Sequence, residues 1–190
     1  MITKMKDTKI IQVAGLHRQE LSGFLPELGE EFLELFYKAS LKLPEMFTYI
    51  DEEKSQVRGF VSNISQANGL YRKIFFKLPW KFILIFLKYF ITHPYSLDKF
   101  FRILTYPGFR NGGAELLSLV VSRDCRLQGI GRRLVIYSAK EFNRRGIKKF
   151  KISVYDSLAA NGFYKKIGCR LVSSFDFLGE KMNYYEFKIR

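Results

Sequence analysis

Arg126-Leu127-Gln128-Gly129-Ile130-Gly131-Arg132-Arg133 is the stretch on which the reading of this chain turns. Two glycines sit inside a basic run. Before them, Glu115 to Ser122 is a continuous apolar segment that reads as a buried strand. After them, Leu134, Val135, Ser138, Ala139 and Phe142 recur with helical period, which predicts a helix from Gly131 to Arg145. A strand that passes through a glycine-bearing loop into a helix can hold a phosphate. Without Cβ atoms at 129 and 131, backbone N–H groups approach a ligand closely, and they converge with the positive end of the helix. Arg126, Arg132 and Arg133 add formal charge. The residues therefore predict a pyrophosphate site. Two better-known phosphate loops fit worse: no G-x-x-x-x-G-K-[ST] run is present, and Gly129-x-Gly131 lacks the third glycine of the dinucleotide fingerprint.

Downstream, Gly146 caps the helix, with Arg144 and Arg145 in its last turn. Phe150 to Tyr155 reads as a strand and Leu158 to Ile167 as a short helix closed by Gly168. Cys169 to Phe177 and Asn183 to Ile189 form a terminal strand pair. Upstream, residues 9–14 are rich in β-branched side chains and predict a short strand. Pro26 opens a helical pattern with Leu28, Phe32, Leu35, Phe36 and Ala39 on one face, and Pro44 stops it. Met46 to Ile50 and Val57 to Ile64 read as two strands joined by a polar turn at 51–54.

Composition narrows the function classes. The chain has 190 residues, 47% of them hydrophobic, and a net charge of +14, which favours acidic partners. Two cysteines and two histidines exclude a disulfide framework and a Cys/His zinc cluster. No metal is expected, and neither His17 nor His93 sits in a motif. Cys125 lies beside the glycine loop but has no histidine near it in sequence, which argues against a nucleophile. Met1 to Lys9 lacks the apolar core of a signal peptide, and no stretch reaches 18 apolar residues. The expected location is the cytoplasm, with contact at the inner face of a membrane left open.

Residues 66–112 differ in character. They hold eight Lys or Arg and one acid, Asp98, so half of the net charge lies in a segment dense in Phe, Tyr, Leu and Ile. Pro79, Pro94 and Pro107 divide it into helical pieces. Between 82 and 91 apolar residues surround nearly the whole helix circumference, so a second face needs a cover: the expected one is the rest of the domain together with a second subunit of a homodimer, with an anionic membrane as the alternative. An acceptor-site lid, a dimer face and a peripheral membrane element all fit. Nucleic-acid binding would suit the basic and aromatic composition, but no fold signature supports it.

The pattern Arg126-x-x-Gly129-x-Gly131, after an apolar strand and opening a helix, resembles the acetyl-CoA loop of the GNAT superfamily of N-acetyltransferases. A second motif follows: Ala160-Asn161-Gly162-Phe163-Tyr164-Lys165-Lys166-Ile167-Gly168-Cys169 is similar to the family's A-N-x-F-Y-x-K-x-G-F. Ser157 stands where many members carry Asn, and Cys169 where they carry Phe. The resemblance covers 114–189, which it makes the acetyl-CoA-binding and catalytic core of a single domain spanning 1–190. It implies an α/β fold with a mixed, mostly antiparallel sheet flanked by helices. Residues 66–112 become a helical insertion between the third and fourth strands.

The resemblance also implies roles. Backbone groups of Leu119, Val120 and Val121 pair with the pantetheine arm of acetyl-CoA. Gln128, Gly129, Ile130, Gly131 and Arg132 wrap its pyrophosphate, with Arg126 and Arg133 adding charge. Asn161 bonds the pantetheine or orients its helix. Tyr164 is the general acid that protonates the departing thiolate. Glu115 is placed as the base that deprotonates the acceptor, and reads equally as a salt-bridged edge residue. The reaction implied is acetyl transfer to a primary amine. The helical insert is similar to that of GNAT-like proteins of microbial surface-polysaccharide synthesis, which implies an amino-sugar acceptor. A protein or peptide acceptor, or a non-catalytic acyl-CoA-binding, membrane-associating module, are the alternatives.

Overall fold

In the computed structural model, residues 1–104 and 112–189 are described, apart from the side chains of residues 99, 103 and 104. Seven strands form one sheet in the order β1-β2-β3-β4-β5-β7-β6. They are β1 (Ile2–Lys4), β2 (Met46–Glu53), β3 (Gln56–Ile64), β4 (Glu115–Val121), β5 (Lys149–Tyr155), β6 (Arg170–Phe177) and β7 (Glu180–Lys188). Every neighbouring pair is antiparallel except β4 and β5. The expected mixed, mostly antiparallel sheet is therefore found. Its first strand is the edge segment Ile2–Lys4 rather than residues 9–14.

Residues 9–14 are not a strand. A single 3₁₀ turn, Asp7–Lys9, leads into helix α1, Ile10–Glu20. The β-branched run is local, whereas Ile10, Val13, Ala14 and His17 recur at spacings of three and four and are all buried. Burial of that helical face overrides the propensity of the short window. Gln12 fixes α1 to the β2–β3 hairpin by accepting from the Val57 N–H at 2.9 Å and donating to Ser55 O at 3.2 Å.

The acidic segment around Pro26 splits in two. Helix α2 is a single turn, Phe24–Glu27, and α3 runs from Glu30 to Ser40. Gly29, at φ +93°, makes the break, a conformation that residues with a Cβ rarely adopt. The insertion supplies α4 (Leu70–Lys77), α5 (Pro79–Thr92) and α6 (Ser96–Leu104), between β3 and β4 as expected; Pro107 lies outside the described residues. Helix α7 (Ile130–Arg144) follows the glycine loop, and α8 (Ala160–Lys166) follows β5.

The sheet separates two cores. On one side α1, α3, α4 and α5 pack over Ile50, Phe60, Ile64 and Val120. On the other, α7 packs over Phe47, Val61, Leu116 and Ile152. Alternation along a strand should put Leu116 and Val120 on the same side, yet they lie on opposite sides. The register explains this: Ser62 faces Ser118 while Asn63 faces Leu116, so Leu117 is an extra residue on β4. Such a bulge reverses which side chains face which core and bends the strand.

Gly59 completes the packing beside this strand. A Cβ on it would lie 2.7 Å from Val120 O and 3.3 Å from Ile130 Cγ2. Both atoms belong to the path that leads into the glycine loop. Gly59→Ala is therefore expected to lower stability by about 1–3 kcal/mol, the usual cost of overpacking a close backbone approach. Chemical denaturation checks this, and an unchanged midpoint would show that β4 can shift without cost.

Candidate active site

The site begins where β4 and β5 part. They pair only at Glu115 with Lys151 and at Leu116 with Ile152. Beyond the bulge, β4 stays on β3 through Val121, and β5 stays on β7 through Tyr155. The two strands diverge and leave a cleft between them. A cavity of about 260 Å³ occupies it, lined by Leu117, Ser118 and Leu119 on one side and Ser153, Val154 and Tyr155 on the other, with Tyr164 against them. Leu119 and Val121 lean toward the α7 core while Val120 faces the helical core. Of these three residues expected to meet the pantetheine arm, Leu119 lines the cavity; Val120 and Val121 do not.

At the end of β4, the loop forms a row of unused donors. The Arg126 N–H donates to Arg123 O, and the next backbone N–H with an acceptor is that of Arg133, bonded to Gly129 O. The N–H groups of residues 127–132 donate to no described residue. Leu127 (φ +62°) and Gly129 (φ +74°) both take left-handed conformations, which turn the chain into the helix. Six donors, three of them at the positive end of a 15-residue helix, match an anion of the size of a pyrophosphate. Gly131 has a further role: a Cβ there would stand 3.4 Å from the Phe163 ring, so the two motifs touch through it.

The three arginines divide their work. Arg126 donates to Val121 O at 3.2 Å and to Glu20 at 2.6 Å, which ties the loop to the end of α1. Arg133 donates to Gln128 O at 3.0 Å and lies 3.5 Å from Asp51. Both brace the loop. Arg132 is exposed and makes no ion pair or hydrogen bond with a described residue. Gln128 is exposed, its side-chain amide 3.5 Å from Asp124 O.

Asn161 is fully engaged. Its Nδ2 donates to the carbonyls of Tyr155, Asp156 and Leu158, and its Oδ1 accepts from Asn183 at 2.9 Å and the Tyr185 hydroxyl at 3.0 Å. It orients α8; no polar atom is left for a ligand. Asp156, directly after β5, accepts from Asn183 at 2.6 Å, and no side chain caps α8. Tyr164 is buried and its hydroxyl bonds no other described residue; burial raises the phenol well above its usual value. Burial also pushes the Cys169 thiol up to about 12, which removes it as a nucleophile.

Glu115 does not sit at a salt-bridged edge. It is 3% exposed, accepts from Ser153 Oγ at 3.2 Å, and its Oε2 is buried with no hydrogen-bond partner. Burial raises its pKa to about 7, against the opposing pull of Lys151 and Ser153. It lines a second cavity of about 220 Å³, with Tyr71, Phe36, Ser62 and Ser153. This cavity shares Leu117, Ser118, Ser153, Tyr155 and Met182 with the first, so the two adjoin; Glu115 lines one and Tyr164 the other.

His17 lines both cavities, and sequence reasoning missed it. Its Nδ1 is 2.7 Å from the Tyr37 hydroxyl, and burial lowers it to about 4, so it is neutral at physiological pH. Nothing local could have found it, because its position depends on 9–20 being helical. Tyr71 is a second omission, brought in by the insertion. Among the described residues no group of three His, Cys, Asp or Glu could hold a metal ion.

Comparison with known proteins identifies the family and the fold. The profile of the acetyltransferase (GNAT) family matches residues 14–169. No curated protein matches by sequence. Among solved structures, aminoglycoside 6'-acetyltransferase type Ii superposes with a TM-score of 0.65 at 18% identity, covering 100% of this chain and 97% of that one. An aminoglycoside 6'-N-acetyltransferase complexed with coenzyme A gives 0.65 at 16%, covering 100% and 97%. The ribosomal-protein-S18-alanine N-acetyltransferase from Escherichia coli gives 0.61 at 13%, covering 100% and 93%. At these identities the likeness is one of fold.

The donor row predicts a ligand preference. Acetyl-CoA should raise the thermal midpoint, and NAD or ATP should do so much less, because only the first also fills the cleft between β4 and β5. Equal shifts with all three would leave nonspecific electrostatics. Gly129→Asp should abolish the shift, since it strains a φ of +74° and sets a carboxylate against the phosphate.

Proposed function

Because the chain belongs to the acetyltransferase (GNAT) family, we propose that it transfers an acetyl group from acetyl-CoA to a primary amine, with Glu115 and Tyr164 as the proton-handling pair. Acetyl-CoA supplies an activated acetyl thioester. The 127–132 N–H groups and Arg132 would hold its pyrophosphate, and the exposed edge of β4 beyond Leu117 its pantetheine. The unmet donors and the strand divergence are the features that fit it.

The observation that carries the reading is that one carboxylate and one phenol line two adjoining cavities, one each. An ammonium has no lone pair for attack on a thioester carbonyl, so a base must remove its proton. Glu115, with a pKa near 7 and a free Oε2, is matched to that task at neutral pH. Tyr164 keeps its proton until a thiolate leaves, and its hydroxyl has no competing partner among the described residues. His17, held neutral, adds no charge that would repel a cationic acceptor.

The acceptor class we favour is an amino sugar. The acceptor cavity, at about 220 Å³, suits a compact molecule better than a polypeptide. It offers aromatic faces in Tyr71 and Tyr155 and hydroxyls in Ser62, Ser118 and Ser153, and among the described residues Glu115 is its only carboxylate. A thiol-release assay with free and nucleotide-linked amino sugars, other small amines and peptides tests this. Turnover confined to peptides would reject the amino-sugar reading, and no turnover with any amine would reject the enzyme.

Two substitutions separate the roles. Tyr164→Phe should retain acetyl-CoA affinity and slow turnover by about 10²-fold. Unchanged single-turnover rates would remove the acid role. Glu115→Gln should delete the acidic limb near pH 7 and move the optimum upward, because the acceptor must then lose its proton to solvent. The same variant has a stability signature. A carboxyl whose folded pKa lies above its unfolded value costs stability as pH rises from about 4.5 to about 7. Glu115→Gln should therefore raise the thermal midpoint at pH 8 more than at pH 5. A pH-independent difference would mean that Glu115 is not charged in its buried site.

A further inference from the structure

Helix α5 has two apolar faces, and the chain covers one. Phe82, Ile85, Phe86 and Tyr89 pack toward the helical core, with Phe82 and Phe32 ring centroids 5.7 Å apart and Phe86 and Phe75 5.1 Å apart. The opposite stripe, at spacings of three and four, is Trp80 (78% exposed), Ile83 (45%), Leu84 (67%), Leu87 (56%) and Ile91 (79%). Phe76 of α4, 74% exposed, extends it, and an apolar groove of about 470 Å³ runs between the two helices past Phe75, Phe76, Phe82 and Ile83. A patch of this kind on a chain with 26% charged residues calls for an occupant.

Charge selects which one. Residues 70–92 contain Arg72, Lys73, Lys77, Lys81 and Lys88 and no acid. Lys73 is paired with Glu45, whereas Arg72, Lys77, Lys81 and Lys88 make no salt bridge or hydrogen bond with a described residue. Seven residues apart, Lys81 and Lys88 flank the exposed stripe on one side. A second copy of the chain is poorly suited. A two-fold interface sets a patch against itself, and these lysines would then face their own counterparts with no carboxylate between them. An anionic lipid surface supplies both complements at once: acyl chains for the stripe and phosphates for lysines whose stems lie along it.

We propose that the outer face of α4 and α5 docks on an anionic membrane, with α5 lying in the interface and Trp80 at headgroup depth. Among the described residues no helix is long and apolar enough to cross a bilayer, and 14 residues span about two thirds of the length required, so α5 lies on the surface. Leu70 and Tyr71 line both the groove and the Glu115 cavity, so the docked face adjoins the candidate acceptor site. The inference does not depend on which acceptor is used.

Trp80 is the only tryptophan and reports directly. With the intact chain, vesicles of phosphatidylcholine containing phosphatidylglycerol should shift its emission to the blue and carry the protein upward on flotation. Pure phosphatidylcholine should do neither, and high salt should weaken the effect. The double variant Lys81→Glu/Lys88→Glu should lose about tenfold or more in affinity. Leu84→Ser/Leu87→Ser should lose the blue shift while keeping its thermal midpoint in the absence of vesicles, since both positions are exposed. An unmoved emission with anionic vesicles, or equal binding to neutral and anionic ones, overturns the proposal. So does light scattering that finds a dimer dissolved by Leu84→Ser/Leu87→Ser.

Discussion

The site depends on the parting of β4 from β5 after two paired residues. A parallel pair that continued would bury its backbone groups in each other and leave no room for a ligand. Instead Leu117 is one residue too many on β4. The bulge exchanges which side chains face which core, and past it the two strands follow different partners. The cleft, the position of Glu115 just before the bulge and the approach of α7 to the end of β4 all follow. Gly59 allows it from the other side, since β3 can lie against the displaced strand only without a Cβ.

Electrostatics arranges the second half of the site. Asp51 and Glu20 are both shielded carboxylates, and each holds an arginine of the loop: Arg133 at the first and Arg126 at the second. These pairs brace the loop whose six N–H groups donate to no described residue. A loop built this way presents dipoles at small conformational cost, because the ordering is done by residues that do not touch the ligand. Glu115 follows the opposite rule. It is left with little compensation, and the resulting rise in pKa is what makes a carboxylate useful as a base near neutral pH.

Much of this was legible in the sequence, and the reasons for the rest are physical. The loop and the second motif were readable because their constraints are local: positive φ at Gly129 with helical period after it, and a short helix closed by Gly168 at positive φ. The strand at 9–14 was misread because six β-branched-rich residues cannot reveal a helical face that runs on to His17 and Glu20. That error concealed two contributors, His17 in the cavity and Glu20 on Arg126. The bulge at Leu117 was invisible because from Leu116 to Val121 only Ser118 is polar, too little alternation for a break to show. Asn161 carries the family's residue type, yet its bonds to Tyr155, Asn183 and Tyr185 depend on strands far apart in sequence. The insertion's unmet apolar circumference was evident from residues 82–91, but which stripe the chain would cover was not.

Hydrogen exchange of the backbone amides, with and without acetyl-CoA, tests the central claim most directly. The divergence of β4 from β5 and the donor row at 127–132 should act as one binding surface. Saturating acetyl-CoA is therefore predicted to slow exchange at residues 127–132 and along β4 beyond Leu117 at the same concentration, leaving β1 and β2 unchanged. Protection of the loop without β4, or of neither, would contradict the account.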